Sequence, residues 1–564
     1  MDELIFKKTS DPMQSAGIAV LYEKVKDNNQ LTVEIHSNEL MIKGEDLETL
    51  LLSIYNDVAR KHWDISNQKQ IERNEGFYYD ESKDEFVRFA KVKPTGYPLL
   101  IHPAQPLTLK KDNYPKIKDI KVNRPELYAK ICEFAQKEKL KIDKMKKVLL
   151  NERNTAIPII KKMDFSPGKK ICFICGEGYK KTEEIKSFSA FIGGSGSFTN
   201  YSSGGGKTES VCYKCRLLQI LSTDFAFWNN DFKHEMVYVF FFQHTDFKKQ
   251  IQLLEATKSL LLPLESMRIN SYRSNYEIEN NVKGYYPGLV YEYMLGLLYT
   301  LFKKYDIIQD NQTMDMETLE IIPSEFLEAE LFYFSAKKFS KKNNAYRPVR
   351  SEKLNNLYYL FDFFKKLKDE IKRDFFSILG SFCLPYKENR ENNKYVNKIA
   401  ENIIRVRSII NEAETVAAIK FSENNNYSFD VILNMIKFYE SYIKYGGNGN
   451  MEDALRDRAV KLGNLIGYRI YEKEKERNKG KRPAGSAGKG EIISLRKCRR
   501  LNLFLEQLIR LQSKYDIFIS KDITDNIDEE NFGYFRQFTI ISAMNTFISQ
   551  GWEKKDNSTG GNNE

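Results

Sequence analysis

Four cysteines stand in two pairs of identical spacing, Cys172 with Cys175 and Cys212 with Cys215, separated by 36 residues. A Cys-x-x-Cys turn brings two sulfurs to one side of a tight knuckle, and two knuckles complete a tetrahedral ligand set for zinc. The alternatives are a redox dithiol, which normally occurs singly, and two fortuitous pairs, which are rare. The sequence therefore predicts a zinc ribbon. Four protein ligands leave no position open for water, so the predicted role of the zinc is structural.

The segment between the cysteine pairs includes FIGGSGSFTNYSSGGGKTES, which is too rich in glycine and serine to form a core. Its Gly206-Lys207-Thr208 end resembles a phosphate-binding loop. Such a loop needs another glycine five residues before Gly206, where this chain has Tyr201, and it must lie between a strand and a helix. We therefore predict a loop whose ends the metal holds together, with Lys207 at most touching a phosphate backbone.

Other catalytic motifs are missing from the sequence. None of the five histidines is adjacent to an aspartate, and neither Gly-x-Ser-x-Gly nor His-Glu-x-x-His occurs. His244 and Asp246 are predicted to be a loop and helix-cap pair. The sequence thus favours a protein that is not an enzyme, with no catalytic residues. The alternative left open is a zinc-containing nucleic-acid-processing enzyme, such as a nuclease, whose carboxylate site is not recognisable.

Basic residues concentrate in two segments. Residues 337–373 carry 12 Lys or Arg against four acids, and residues 477–500 carry nine against one. Runs of charge are often merely solvated, but a basic flexible segment can also follow a phosphate backbone and bind through counterion release. No base-reading motif accompanies them, which favours sequence-independent contact. The candidate nucleic-acid-binding residues are Lys337, Lys338, Lys341, Lys342, Arg347, Arg350, Lys479, Lys481, Arg482, Arg496, Lys497, Arg499 and Arg500.

The composition fits a large intracellular protein. The 564 residues carry a formal net charge of +11, which suits a polyanionic partner but is weak support by itself. Cys132, Cys383 and Cys498 are scattered and are predicted to be reduced thiols. No signal peptide is evident, and the most apolar stretches, Met236–Phe242 and Met294–Phe302, are far shorter than the roughly 20 residues of a membrane span. We expect a soluble cytoplasmic protein with no membrane partner.

The predicted fold class is α+β. Residues 1–165 are expected to be a mixed α/β domain with a strand at Leu31–Ile35, a helix at Glu45–Trp63, a hairpin of Phe77–Tyr79 with Phe86–Phe89, and a helix at Arg124–Asn151. Residues 166–222 would be the zinc-ribbon insert.

Residues 223–445 are predicted to be a mainly helical middle domain, with one buried strand at Met236–Phe242. Its predicted helices are Phe247–Leu261, Leu289–Lys304, Lys353–Phe376 and Asn397–Ile410. Residues 451–552 are predicted to be a C-terminal helical bundle, and residues 553–564 a disordered tail. In the bundle, an amphipathic helix carries apolar residues at Leu455, Ala459, Leu462, Ile466 and Ile470. Two later helices pass through Leu501–Leu508 and Phe532–Ile548.

In this order of elements the chain resembles a known family, the large subunit of the type I-B CRISPR Cascade surveillance complex. The resemblance rests on GFYYD (Gly76–Asp80), CFICGEGYKK (Cys172–Lys181) before a Gly/Ser-rich insert, VCYKC (Val211–Cys215) leading into a helix, and the long helical half that follows. The cysteine motifs are its most specific part.

The resemblance implies a non-catalytic subunit in antiviral defence. Such subunits assemble with other Cascade subunits and a crRNA, and they recognise a protospacer-adjacent motif in target double-stranded DNA. They also hold the displaced single strand and help to recruit a helicase-nuclease. Base pairing then reads the rest of the target, as in other RNA-guided systems. In related proteins the C-terminal helical part resembles the Cascade small subunit. An internal start at Met435 or Met451 would produce it separately.

Overall fold

The computed structural model describes residues 3–9, 11–63, 77–88, 115–137, 142, 148–150, 162–184, 210–231, 236–260, 289–311, 328–338, 346–355, 357–384, 389–423, 429–445, 453–478 and 486–550. The chain divides into two compact units. The N-terminal unit comprises Met1–Ser274 with Met316–Tyr358, and the C-terminal unit comprises Asn275–Asp315 with Tyr359–Glu564. This division is coarser than the segments expected from the sequence, and the boundaries of those segments stay predictions.

The N-terminal unit is mixed α/β, as expected. Its helices are α1 (Pro12–Val25), α2 (Leu47–Trp63), α3 (Ile117–Asn123), α4 (Pro125–Lys137), α5 (Tyr213–Ser222) and α6 (Phe247–Leu260). Its strands are β1 (Glu3–Lys7), β2 (Thr32–His36), β3 (Glu39–Lys43), β4 (Phe77–Asp80), β5 (Glu85–Arg88), β6 (Leu149–Leu150), β7 (Pro167–Ile171), β8 (Gly178–Tyr179), β9 (Glu183–Glu184), β10 (Ser210–Val211), β11 (Phe227–Asp231), β12 (Met236–Gln243), β13 (Glu330–Lys338) and β14 (Tyr346–Leu354).

The first sheet is antiparallel in the order β1-β3-β2. Alternate residues of β1 and β3 face the core, so that Leu4, Phe6, Leu40 and Ile42 are buried. The predicted strand at Leu31–Ile35 and the predicted helix at Glu45–Trp63 are confirmed as β2 and α2.

The second sheet has the order β5-β4-β6 and includes the predicted hairpin. The single helix expected over Arg124–Asn151 is wrong. Its helix, α4, begins at Pro125, where a fixed φ suits a first helical position, and is assigned to Lys137. Leu149 and Leu150 form β6, which pairs in parallel with β4. This pairing joins segments about 70 residues apart, and helical periodicity carries no information about it.

A four-stranded antiparallel sheet in the order β11-β12-β13-β14 adds three strands to the single strand predicted for residues 223–445, whose other described elements are helices. β12 confirms the predicted buried strand. β13 pairs with β12 along the length of β12, and β14 forms one edge of the sheet. Lys353, expected to begin a helix, lies in β14, and the next helix begins at Leu357. Edge strands can be polar, so the YRPVRSEKL sequence of β14 showed no apolar alternation.

The C-terminal unit is helical in its described residues. Its helices are α7 (Val290–Asn311), α8 (Leu357–Ile371), α9 (Phe375–Ser381), α10 (Asn389–Ile404), α11 (Ile410–Ser422), α12 (Asp430–Tyr445), α13 (Asp453–Arg477), α14 (Ser486–Leu495), α15 (Leu501–Tyr515), α16 (Lys521–Thr524) and α17 (Phe532–Ser549). Two predicted helices are thus divided. The helix predicted over Lys353–Phe376 is observed as α8 and the start of α9. The helix predicted over Asn397–Ile410 ends at Ile404, and α11 begins at Ile410.

The centre of the C-terminal unit is the contact between α13 and α17. The five predicted apolar positions of α13, Leu455 to Ile470, are all buried. Gly463 and Gly467 let the two helices approach closely, because a side chain at either position would meet the backbone carbonyl of Thr539 or Ala543. α17 is buried on nearly all sides, which explains why its sequence is apolar without a polar face.

Candidate metal centre and cationic surfaces

The first cysteine knuckle closes the β7–β8 hairpin. Cys172 follows β7, its N–H donates to the Glu177 carbonyl at 2.9 Å, and its own carbonyl accepts from the Gly176 N–H at 2.9 Å. Gly176 has a φ of +72°, a left-handed conformation that glycine adopts without steric cost. The turn between Cys172 and Cys175 is therefore fixed by local backbone bonds.

The second knuckle begins α5. Cys212 is the N-cap residue of this helix, and its sulfur accepts the Cys215 N–H at 3.4 Å. The Cys212 N–H in turn donates to the Cys172 sulfur at 3.3 Å, and the Phe173 N–H donates to the Ser210 carbonyl at 2.9 Å. These last two bonds join the knuckles to each other.

The four predicted cysteines converge on one point. Their ligand atoms lie within 4.8 Å of one another, and the sulfurs of Cys175 and Cys212 are 3.9 Å apart. Sulfurs about 2.3 Å from a tetrahedral metal ion lie about 3.8 Å apart. Cys172, Cys212 and Cys215 are buried, and Cys175 is half-buried. The donor set and its spacing fit a metal ion with four thiolate ligands.

The protonation of these thiols depends on whether a cation is bound. Hydrogen bonds from the thiols of Cys175, Cys212 and Cys215 hold the pKa of Cys172 well below its usual value. The pKa values of Cys212 and Cys215 are raised, first by their hydrogen bonds to Cys172 and further by burial. Four adjacent thiolates would repel one another, so full deprotonation needs the positive charge of a metal ion.

The metal-centre helix α5 is built into the core of the N-terminal unit, which the sequence did not predict. Gly17 of α1 lies directly against the Leu218 carbonyl, where a Cβ would clash. Gln14 donates to the Cys215 carbonyl at 3.3 Å, and Lys214 donates to the Ile5 carbonyl at 3.1 Å. The second knuckle is therefore held in place by contacts with β1 and α1. Residues 185–209, with Lys207, lie outside the described residues.

No protein-family model matches this chain, and no curated protein is significantly similar to it. The resemblance to the Cascade large subunit therefore rests on the motifs quoted above.

The first basic segment lies on the β13–β14 hairpin and on α8, so strands rather than helices present its first candidates. Lys337 is exposed on β13 and pairs in register with Arg347. Lys338 is at the end of β13, and Arg350 on β14 forms an ion pair with Glu352. Lys341 and Lys342 lie outside the described residues.

The second basic segment separates into paired and unpaired residues. The Arg496 Nε lies 2.6 Å from Oε1 of Glu414, a buried carboxylate, so this arginine is partly neutralised. Lys497, Arg499 and Arg500 are exposed in the connection between α14 and α15, and none forms an ion pair within the described part of the chain. Lys479, Lys481 and Arg482 lie outside it.

Arg536 is a further cation here that sequence reasoning missed. It stands alone in α17, but it donates to the Cys498 carbonyl at 2.8 Å and its Nη2 lies 4.0 Å from Oε2 of Glu414. A cavity of about 740 Å³ is lined by Arg496, Lys497, Arg499 and Arg536 together with Glu414, Ile493, Glu529, Phe532 and Gly533. Four cations against two carboxylates make this cavity suited to an oxyanion such as phosphate.

The histidine and aspartate at 244 and 246 are a loop and helix-cap pair. The Asp246 carboxylate accepts the Lys249 N–H at 3.0 Å at the start of α6, and the Asp246 N–H donates to the His244 Nδ1 at 2.9 Å. His244 is buried, and burial lowers its pKa. The loop geometry accounts for the Asp246 carboxylate and for the Nδ1 atom of His244.

Among the described helices, none combines the length and apolarity that a membrane crossing requires.

Proposed function

We propose that this protein is the non-catalytic large subunit of a type I-B CRISPR Cascade complex and that it binds nucleic acid through cationic surfaces. The supporting observation is the cationic cavity of the C-terminal unit, where Lys497, Arg499 and Arg536 come together although Arg536 is distant in sequence. Such a cluster binds phosphates of any sequence by charge.

The remaining parts of the proposal follow the resemblance. The subunit would assemble with other Cascade subunits and a crRNA, recognise the protospacer-adjacent motif, and help to recruit a helicase-nuclease in the cytoplasm. The contacts proposed here concern phosphates, so motif recognition is assigned to other parts of the chain.

We further propose that the four-cysteine centre holds Zn²⁺ and that the zinc is structural. Tetrahedral sulfur sets bind either zinc or iron, including iron–sulfur clusters. Zinc fits because all four ligands come from two knuckles that backbone N–H bonds join to each other. The four sulfurs therefore enclose a small space for one ion. Elemental analysis of the purified full-length chain should give one zinc per chain. Stoichiometric iron with visible absorption would contradict the assignment.

The non-catalytic assignment is tested against the alternative, a nuclease. The purified chain should leave single-stranded and double-stranded DNA intact in the presence of Mg²⁺ or Mn²⁺, while retarding both in a gel. Metal-dependent cleavage that one Asp or Glu substitution abolishes, with binding intact, would support the nuclease instead.

A further inference from the structure

The tip of the β7–β8 hairpin exposes two large apolar side chains. Ile171 is 62% exposed and Phe173 is 56% exposed, whereas Cys172 and Tyr179 beside them are buried. Scattered exposed apolar residues need no explanation. Here, however, an aromatic ring projects from a turn between two metal-ligating cysteines, a part of the chain whose backbone is held in place.

The backbone around Phe173 is fixed in advance of any binding. Its N–H donates to the Ser210 carbonyl of the second knuckle, and Cys172 and Cys175 on either side belong to the metal centre. A ring presented in this way loses little conformational entropy when a partner stacks on it.

The surroundings of the ring are cationic. Lys169 and Lys170 are exposed on β7, and Lys180 is exposed directly after β8; none of the three forms an ion pair with any described residue. The nearest acid in the turn, Glu177, accepts a hydrogen bond from the Tyr179 hydroxyl at 2.6 Å and lies 3.7 Å from Lys7. The Glu177 charge is therefore partly compensated, whereas Lys169 and Lys170 have no ion-pair partner among the described residues.

We propose that this hairpin binds single-stranded nucleic acid, with the Phe173 ring stacked on a base and Lys169 and Lys170 contacting the phosphates. Aromatic platforms beside lysines are how proteins hold single strands without reading sequence. A protein partner fits less well, because the apolar area is two side chains and lysine is depleted from the cores of protein interfaces. The inference rests on the proposed function only in requiring that the chain binds nucleic acid. It adds a second contact surface, in the N-terminal unit.

The test uses the full-length, metal-loaded chain and fluorescence anisotropy with a labelled oligothymidine of about 12 nucleotides, within the usual range of single-strand sites. A matched oligonucleotide with abasic sites keeps the phosphates and removes the bases, and an oligouridine compares RNA with DNA. Phe173→Ala should bind oligothymidine at least about fivefold more weakly, the lower range for a lost base stack. It should bind the abasic strand as wild type does.

Phe173→Tyr should retain affinity because it keeps the stacking ring. Phe518→Ala is the matched control, since Phe518 is 83% exposed in the C-terminal unit. The double variant Lys169→Ala/Lys170→Ala should bind both oligothymidine and the abasic oligonucleotide more weakly. It should also reduce the magnitude of the slope of log affinity against log salt concentration by about 1.4, or about 0.7 per phosphate contact.

Each variant must contain as much metal as the wild-type protein. The inference is overturned if Phe173→Ala and wild type bind oligothymidine equally, or if Phe173→Ala weakens both strands to the same degree. In either case wild-type binding persists, and the proposed function stands. If wild type binds none of the strands at any salt concentration, both the inference and the proposed nucleic-acid binding fail.

Discussion

The unpaired cations between α14 and α15 allow a quantitative prediction about DNA binding. We consider the triple variant Lys497→Ala/Arg499→Ala/Arg500→Ala, which removes three exposed cations without an ion-pair partner in the described chain. Arg496 is left in place, because its loss would remove the nearest cation from the buried carboxylate of Glu414 and destabilise the unit.

Each phosphate contact contributes about 0.9 to the slope of log affinity against log salt concentration for duplex DNA. Three lost contacts should therefore reduce the magnitude of this slope by about 2.7. Between 50 mM and 200 mM salt, the affinity of the wild type would then fall roughly 40-fold more than the affinity of the variant. The assay is anisotropy of a labelled duplex across this salt range.

The control variant Lys461→Ala/Arg469→Ala/Lys521→Ala removes the same charge from other exposed positions of the C-terminal unit. Its slope should stay close to the wild-type value. Equal slopes for the triple variant and wild type would refute the assignment of phosphate contacts to this segment. A change in the preferred DNA motif would also contradict it, because phosphate contacts carry no sequence information.

Three further predictions concern stability. Cys172→Ser should lose the bound metal and several kcal/mol of stability, whereas Cys132→Ser keeps both, as measured by elemental analysis and thermal unfolding. Gly17→Ala should destabilise the chain by about 1–3 kcal/mol because its Cβ meets the backbone of α5. The control Gly380→Ala should not destabilise the chain, because open space surrounds Gly380. Equal effects of the two substitutions in denaturant titrations would refute the contact between Gly17 and α5. Burial raises the pKa of Glu440 to about 7, so the folded state binds this proton more tightly and the contribution of Glu440 to stability falls as pH rises from about 4.5 to 7. Glu440→Gln should remove that fall, and its stability relative to wild type should rise by up to about 3 kcal/mol across this range; a constant difference would contradict the raised pKa.

The features that the sequence predicted correctly have local causes. The cysteine cluster follows from spacing within two short turns, and the buried face of α13 follows from apolar residues at helical intervals. The β4–β5 hairpin likewise joins neighbouring residues through a polar turn. In each case the pattern is written in short stretches of sequence and is visible without knowledge of the tertiary structure.

The features that it missed depend on contacts between distant segments. β6 exists because Leu149 and Leu150 pair with β4, and β14 is an edge strand whose polar residues show no alternation. Arg536 joins the cationic cavity through the packing of α17 and not through its neighbours in sequence. Burial of the metal-centre helix depends on Gly17, whose role is defined only by the backbone of α5 facing it.

The central claim is that this chain belongs to an RNA-guided complex. Its most direct test is affinity purification of the tagged full-length protein from cells that express it naturally, with sequencing of the bound RNA and mass spectrometry of the bound proteins. We predict short RNAs that share a constant repeat-derived end and differ in their guide sequence, together with the other Cascade subunits. Recovery of the protein without such RNAs and without those subunits would contradict the claim.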